Sequence, residues 1–161
     1  MKRLWRVMLF ACATGTSASA ASELLPFTAG TLAEIKTRHA GRPFVLTLWS
    51  LTCHYCAKEL ATLGQLMRPG NQPALVIVST DTPDDEPEIR AALARHGLGQ
   101  LDTWVFADAV PERLRRAIDP AWRGELPRTY LFDAAHRGQV HSGLIEHQRI
   151  ADWLRPAQAV Q

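Results

Sequence analysis

The feature that most constrains this chain is an apolar run that leads into a pair of cysteines. The run, Phe44–Trp49 (FVLTLW), is rich in apolar and aromatic residues, as is typical of a buried strand. Three residues separate its end from Cys53, and leucines at helical spacing follow Cys56. The sequence therefore predicts a strand that turns into a helix, with both cysteines at the start of that helix.

The spacing of the two cysteines indicates chemistry rather than crosslinking. Residues three apart share one side of a helix, so the pair can close a small disulfide ring and reopen it. A helix N-terminus favours negative charge, so Cys53 should ionise more easily than a free thiol. A crosslink over so short a loop removes little entropy from the unfolded chain. We therefore expect Cys53 to be the nucleophile and Cys56 the resolving thiol of a redox-active disulfide that needs no further cofactor.

The first twenty residues look like a targeting segment. A basic start, a mostly apolar stretch (4–13) and the small residues 18–20 predict a secretory signal peptide over 1–20, which leaves a mature domain of 21–161. Two alternatives remain open. The apolar stretch could stay as a membrane anchor, although it is short for a span of about 20 residues. The segment before Cys12 loosely resembles a bacterial lipobox, which would lipidate that cysteine.

Removal of the leader changes the charge balance. The mature chain would keep 15 basic residues against 16 acidic ones, so its net charge would be near −1. That balance does not favour nucleic-acid binding. Cys53 and Cys56 would be the only cysteines left, and 161 residues suffice for one domain with a sizeable core.

Hydrophobic periodicity and turn residues divide the rest of the chain. Five strands are predicted, at 44–49, 74–79, 103–106, 128–132 and 139–144. Five helices are predicted, at 31–39, at 53–67, from the acidic turn 81–86 to residue 96, at 111–118 and at 148–154. Strands alternating with helices, followed by a hairpin and a last helix, predict an α/β fold with a mixed sheet covered on both faces.

Two motifs in this order resemble the thioredoxin-fold superfamily. The first is Trp49-x-x-x-Cys53-x-x-Cys56-x-x-Glu59, and the second is the segment 126–133 (LPRTYLFD), about seventy residues later. Within the superfamily, the chain is most similar to the exported TlpA/ResA-type thiol-disulfide oxidoreductases, including those of cytochrome c maturation. The resemblance implies a thioredoxin-like three-layer α/β/α fold with a central helix-strand insertion at 86–118.

The resemblance also implies roles for single residues. Pro127 would be a cis-proline facing the cysteines, and the backbone of Leu126 would pair with a substrate. Glu59 would be an active-site acid that raises thiol pKa values and relays protons, although it could also be a solvated helix residue. Trp49 would pack beneath the site or contact the substrate.

The sequence leaves the roles of the two residues between the cysteines open. His54 could stabilise the Cys53 thiolate if protonated, or be exposed and neutral, and Tyr55 could belong to a recognition surface. The chain departs from the family at Thr52, where relatives often carry Trp, at Ala61, where many have Pro, and at Thr47, which replaces the buried acid of cytosolic thioredoxins. These departures bear on redox potential and partner.

The sequence thus predicts an exported or periplasmic enzyme that reduces protein disulfides. The resemblance implies a disulfide-containing protein substrate, with apocytochrome c as one candidate, and a membrane thiol electron donor. An oxidase or isomerase remains an alternative, as does a non-catalytic copper-binding or chaperone-like module. We expect no metal site, because Cys53, Cys56 and His54 offer three zinc ligands without a second cysteine pair. Ala57 stands where haem attachment would need a histidine.

Overall fold

Residues 23–67 and 74–154 are described by a computed structural model, and they form one mixed sheet with helices on both faces. The strands are β1 (Leu24–Phe27), β2 (Phe44–Trp49), β3 (Leu75–Ser79), β4 (Thr103–Phe106), β5 (Arg128–Phe132) and β6 (Gly138–Ser142). The helices are α1 (Thr31–Arg38), α2 (His54–Leu66), α3 (Glu86–Arg95), α4 (Pro111–Ile118) and α5 (His147–Leu154), and a short 3-10 helix, Pro83–Asp85, precedes α3. The predicted leader 1–20 and Cys12 lie outside the described residues.

The sheet topology brings the ends of several strands to one edge. The strand order is β1-β4-β3-β2-β5-β6. Strands β1, β4, β3 and β2 run parallel, whereas β5 is antiparallel to both β2 and β6. The carboxyl ends of β2 and β3 therefore lie at the same end of the sheet as the start of β5. In open α/β sheets, active sites gather at the end where the parallel strands have their carboxyl termini.

Two hydrophobic clusters cover the two faces of the sheet. Helices α2, α3 and α5 pack on one face, and α1 and α4 pack on the other. Strand β2 lies in the middle and is buried along its whole length. This explains its continuous apolar run, in which Thr47 is the only polar residue. The Thr47 hydroxyl lies 3.2 Å from that of Thr129 on β5, so it is not left without a partner.

The predicted fold class is confirmed, and most predicted bounds agree with the structure within one residue. The hairpin strand is an exception, since β6 ends at Ser142 rather than at residue 144. Strand β1 was not predicted at all. It has four residues, contains Pro26 and, among the described strands, pairs with β4 alone at the edge of the sheet. Proline is tolerated at such an edge because no second neighbour needs its missing N–H.

Helix α2 approaches the end of α3 closely at Gly64. A Cβ atom on Gly64 would lie 1.8 Å from the backbone oxygen of His96. Only glycine allows this contact without a shift of one backbone segment. The approach fixes the position of α2, and with it the position of the cysteines at its start.

Candidate active site

The two cysteines lie where β2 passes into α2, and they differ in exposure. They are joined by a disulfide, with Cα atoms 5.3 Å apart. Cys53 is half-buried and is the N-cap of α2, whereas Cys56 is fully buried. The backbone N–H of Cys56 donates to Cys53 Sγ at 3.2 Å. This arrangement gives Cys53 access to other molecules and places a helix N–H against its sulfur.

The position of Cys53 supports a reactive thiolate after reduction. An N-cap side chain receives the unpaired N–H groups of the first turn, and the helix dipole adds positive potential there. Both effects stabilise a negatively charged sulfur more than a neutral thiol. Cys56 lies inside the hydrophobic cluster, where burial has the opposite effect on a thiolate. The geometry thus separates an exposed, ionisable sulfur from a protected one.

Asp81, just beyond the carboxyl end of β3, holds the loop before the cysteines. Its Oδ1 accepts a hydrogen bond from Ser50 Oγ at 2.9 Å, and its Oδ2 accepts one from the Leu51 N–H at 2.9 Å. Ser79 Oγ also donates to Oδ2, at 2.6 Å. Asp81 was predicted only as part of an acidic turn, and its contact with this loop was not predicted. The parallel pairing of β2 and β3 was the available signal, because it brings their carboxyl ends together.

The Leu126–Pro127 segment enters the site from the opposite strand. Its peptide bond is cis, in agreement with the resemblance. The register pairs Leu48 with Arg128, so one further step places Pro127 opposite Trp49 at the end of β2. Leu126 packs against the same cluster as Cys53. In the described part of the chain, neither its N–H nor its C=O has a hydrogen-bond partner.

Glu59 lies inside the protein, one helical turn after Cys56. Its side chain is fully buried, which excludes the solvated position that the sequence left open. Glu59 Oε1 accepts from Thr129 Oγ1 at 3.4 Å, and Oε2 accepts from the Ile145 N–H at 3.2 Å. Burial raises the pKa of Glu59, and the bonds from Ile145 and Thr129 oppose that rise. A buried carboxyl one helical turn from Cys56 can hold or release a proton.

The other predicted site residues separate into buried and exposed ones. Trp49 is 2% exposed and belongs to the same cluster as Cys56. Its indole N–H has no acceptor within the described ranges. His54 and Tyr55 are exposed, and their rings meet edge to face at 5.6 Å. At 61% exposure, Tyr55 offers a large aromatic surface next to Cys53.

A buried arginine fixes the segment that leads to the cis peptide. Arg128 is 5% exposed, and its guanidinium donates to Glu125, Ser142 and Tyr130 at 3.0, 2.8 and 2.7 Å and also to Asp119. Burial raises the pKa of Tyr130 to about 12, so its hydroxyl stays protonated and donates to Asp119 at 3.2 Å. Arg128 was predicted only as a strand residue. A lone charge in a strand gave no indication that it was buried.

Nowhere in 23–67 and 74–154 do three or more His, Cys, Asp or Glu side chains come together as a metal site would require. Within the same ranges, none of the helices has the length and apolarity that a bilayer crossing demands.

Comparisons with known proteins identify the fold. No protein-family model matches the chain, and no curated protein sequence is significantly similar to it. Solved structures do match. A secreted disulfide oxidoreductase of Mycobacterium tuberculosis, described as homologous to DsbE of E. coli, superposes with a TM-score of 0.55 at 18% identity, over 73% of this chain and 84% of that one.

Two further structures agree with this result. A thiol:disulfide interchange protein of the thioredoxin family from Chlorobium tepidum TLS has a TM-score of 0.56 at 17% identity, over 74% of this chain and 83% of that one. StoA from Bacillus subtilis has a TM-score of 0.51 at 14% identity, over 71% and 83%. Identities this low establish the fold alone. The chain has the thioredoxin fold, as the two sequence motifs predicted.

Proposed function

We propose that this thioredoxin-fold chain is a thiol-disulfide oxidoreductase that acts on protein disulfides. One observation carries the proposal: the two sulfurs of a single disulfide lie in opposite environments. Cys53 is accessible at a helix N-terminus, and Cys56 is buried behind it. A structural crosslink gains nothing from this asymmetry. A two-step exchange needs this asymmetry, because one sulfur must be accessible to attack the substrate and the other must stay protected until the mixed disulfide has formed.

The reaction follows from the two environments. In the reduced protein, the Cys53 thiolate attacks one sulfur of a substrate disulfide, and the other substrate sulfur leaves as a thiolate and takes up a proton. Cys56 then gives up its proton and attacks Cys53 Sγ, which releases the second substrate thiol. Two electrons pass to the substrate, and the protein ends with the Cys53–Cys56 disulfide. Glu59 is the group we assign to accept the Cys56 proton.

The backbone of Leu126 supports substrate docking. Its N–H and C=O are unpaired among the described residues, and Leu126 packs against the same hydrophobic cluster as Cys53. An extended substrate segment could pair with this backbone as a short additional strand. Tyr55 and His54 would border the segment on the side of α2, and Trp49 would support the site from below.

Reduction is the direction that the buried acid favours. A carboxylate near a thiol disfavours the thiolate and makes the pair more reducing. His54 favours the rival, an oxidase or isomerase, because a protonated imidazole next to Cys53 would stabilise its thiolate. We further propose export, with the 1–20 segment removed, a disulfide-containing client such as apocytochrome c, and re-reduction by a membrane thiol donor. The predicted leader and the secreted Mycobacterium tuberculosis neighbour support export.

The test is reduction of insulin by the purified protein with dithiothreitol as the electron source. We expect turnover by the wild type, none by Cys53→Ser, and accumulation of a mixed disulfide by Cys56→Ser, seen as an adduct in intact mass. Equal rates for the wild type and Cys53→Ser would reject the function. Tight Cu(I) binding without turnover would favour the copper module instead.

Two further measurements separate the finer proposals. A reduction potential of the cysteine pair near or below the roughly −270 mV of thioredoxin supports a reductant, and a much higher value supports the oxidase or isomerase. The intact mass of the exported protein should match that of a chain whose first residue is at or near Ala21. Added acyl mass on Cys12 would instead establish a lipid anchor.

A further inference from the structure

One peptide group lies between Glu59 and the edge strand β6. The N–H of Ile145 donates to Glu59 Oε2 at 3.2 Å, and the C=O of Leu144 in the same peptide group lies 2.8 Å from His141 Nε2. A carbonyl oxygen can only accept, so Nε2 carries the hydrogen in this contact. The chain of contacts therefore runs from the Glu59 carboxyl through a single peptide to the His141 imidazole.

The sheet connects the same two residues a second time. Thr129, which donates to Glu59 Oε1, is directly opposite His141 in the β5–β6 pair. Glu59 is fully buried, whereas His141 is only half-buried on the outermost strand. His141 is therefore more accessible to solvent than the buried carboxyl is.

The orientation of the peptide group decides which charges it favours. Its N–H end points at the carboxyl, and its C=O end points at the imidazole. A peptide dipole in this direction stabilises negative charge on Glu59 and positive charge on His141. Direct attraction acts in the same sense, since a charged His141 lowers the pKa of Glu59 against the effect of burial.

Among the described residues, His141 is the charged side chain whose direct attraction acts on the pKa of Glu59. On its own helix, Cys56 lies one turn earlier. Strand β5 presents the hydroxyl of Thr129, which does not titrate and lies 3.2 Å from the Thr47 hydroxyl of β2. The segment before α5 presents the Ile145 amide. Strand β6 presents His141. The imidazole is thus placed to control the charge of Glu59.

We propose that His141 is a positioning residue for the thiol chemistry, acting as a charge partner that keeps Glu59 ionised while its own ring is protonated. The inference rests on the proposed function, because an ionised Glu59 is the form that can take the proton of Cys56. The coupling between the two side chains does not itself require turnover. This allows the coupling and the activity to be tested separately.

The first test titrates the glutamate carboxyls by carbon-13 NMR in the oxidised full-length protein. His141→Gln keeps a donor near the Leu144 carbonyl but carries no charge. We expect the Glu59 midpoint to rise by about half a pH unit, less than the one to three units produced by a charge in direct contact. His147→Gln, which alters an exposed residue at the start of α5, should leave it unchanged. An unchanged Glu59 midpoint in His141→Gln would overturn the proposal.

A further variant guards against a local loss of structure. His141→Lys restores a positive charge and should return the Glu59 midpoint towards that of the wild type. If the Glu59 midpoint stays raised in His141→Lys, a positive charge on this side chain does not control the carboxyl, and the proposal fails.

The last test connects the coupling to the chemistry. The pH profile of the rate at which the mixed disulfide is released should shift to higher pH in His141→Gln. The same profile should be unchanged in His147→Gln. Normal turnover with an unshifted profile would overturn the role of His141 and leave the proposed function standing. Coupling by NMR without any disulfide turnover would reject the function, and with it the role of His141 in thiol chemistry.

Discussion

The carboxylate of Asp81 and the backbone N–H of Leu51 are joined by a hydrogen bond of 2.9 Å that links the ends of two parallel strands. Leu51 lies two residues before Cys53, so this bond fixes the approach of the chain to the cysteines. The serine hydroxyls of β3 and the loop bind the same carboxylate. The loop before the cysteines is therefore held from the neighbouring strand rather than by local turn residues.

Removal of this carboxylate should destabilise the protein and loosen the loop. For Asp81→Ala we expect a loss of about 2 kcal/mol in the free energy of unfolding, because three donors lose a charged acceptor. Asp81→Asn should cost less, since its amide can still accept from Leu51 and donate to Ser50. Asp84→Ala, in the exposed 3-10 helix, is the control and should stay within about 0.5 kcal/mol. Urea unfolding measures all three, and equal stabilities for Asp81→Ala and the wild type would refute the prediction.

Glu59→Gln should make the protein more stable at neutral pH. Burial raises the pKa of Glu59 in the folded state, so the fold binds this proton more tightly than the unfolded chain does. The resulting stabilisation is complete below the unfolded pKa and is lost as the pH rises through the folded pKa. Each unit of elevation corresponds to about 1.4 kcal/mol above that range. A glutamine has no such dependence, so its advantage over the wild type should grow with pH.

Thermal unfolding from pH 4 to 8 checks this prediction. Glu146→Gln, at an exposed position, serves as the matched control. If the stability difference between Glu59→Gln and the wild type is constant over this range, the raised pKa is ruled out.

Gly64→Ala should be strongly destabilising. The added Cβ would lie 1.8 Å from the His96 backbone oxygen, so α2 or the end of α3 must move. Such overpacking typically costs 1–3 kcal/mol, and we expect about 3 kcal/mol because the contact is with backbone. Gly30→Ala has open space around its Cβ and should change stability by less than about 0.5 kcal/mol. A near-neutral Gly64→Ala in chemical denaturation would contradict the close approach of α2 and α3.

Arg128→Met should loosen the segment that carries Leu126 and Pro127. The substitution leaves Asp119 and Glu125 without their buried partner, and it removes the donor to Ser142. Breaking a buried ion pair costs about 3–5 kcal/mol, and partial solvation of both acids should hold the loss near 3 kcal/mol.

Hydrogen exchange and urea unfolding together locate this effect. Exchange should accelerate between residues 119 and 127 before other regions respond. Arg116→Met, on the exposed face of α4, is the control and should be close to neutral. Unchanged exchange in this segment would show that Arg128 does not hold it.

Much of the fold could be predicted because it depends on local pattern. The all-apolar run of β2, the helical spacing after Cys56 and the turn residues each report on a few neighbouring positions. The cysteine spacing also placed Cys53 at a helix start, because that inference needs only the strand before it and the helix after it. Strand β1 escaped prediction, since a four-residue edge strand with a proline has almost no local pattern.

The sequence by itself determined the order of strands and helices, the cysteine pair and the expectation of a cis-proline loop. Only the tertiary structure decided that Glu59 is buried, that Asp81 holds the loop before Cys53, and that His141 meets Glu59 through one peptide group. These contacts join residues 30 to 86 positions apart in the chain. The sequence does not show whether a charged side chain faces water or the core. Its burial is decided only when distant strands pair.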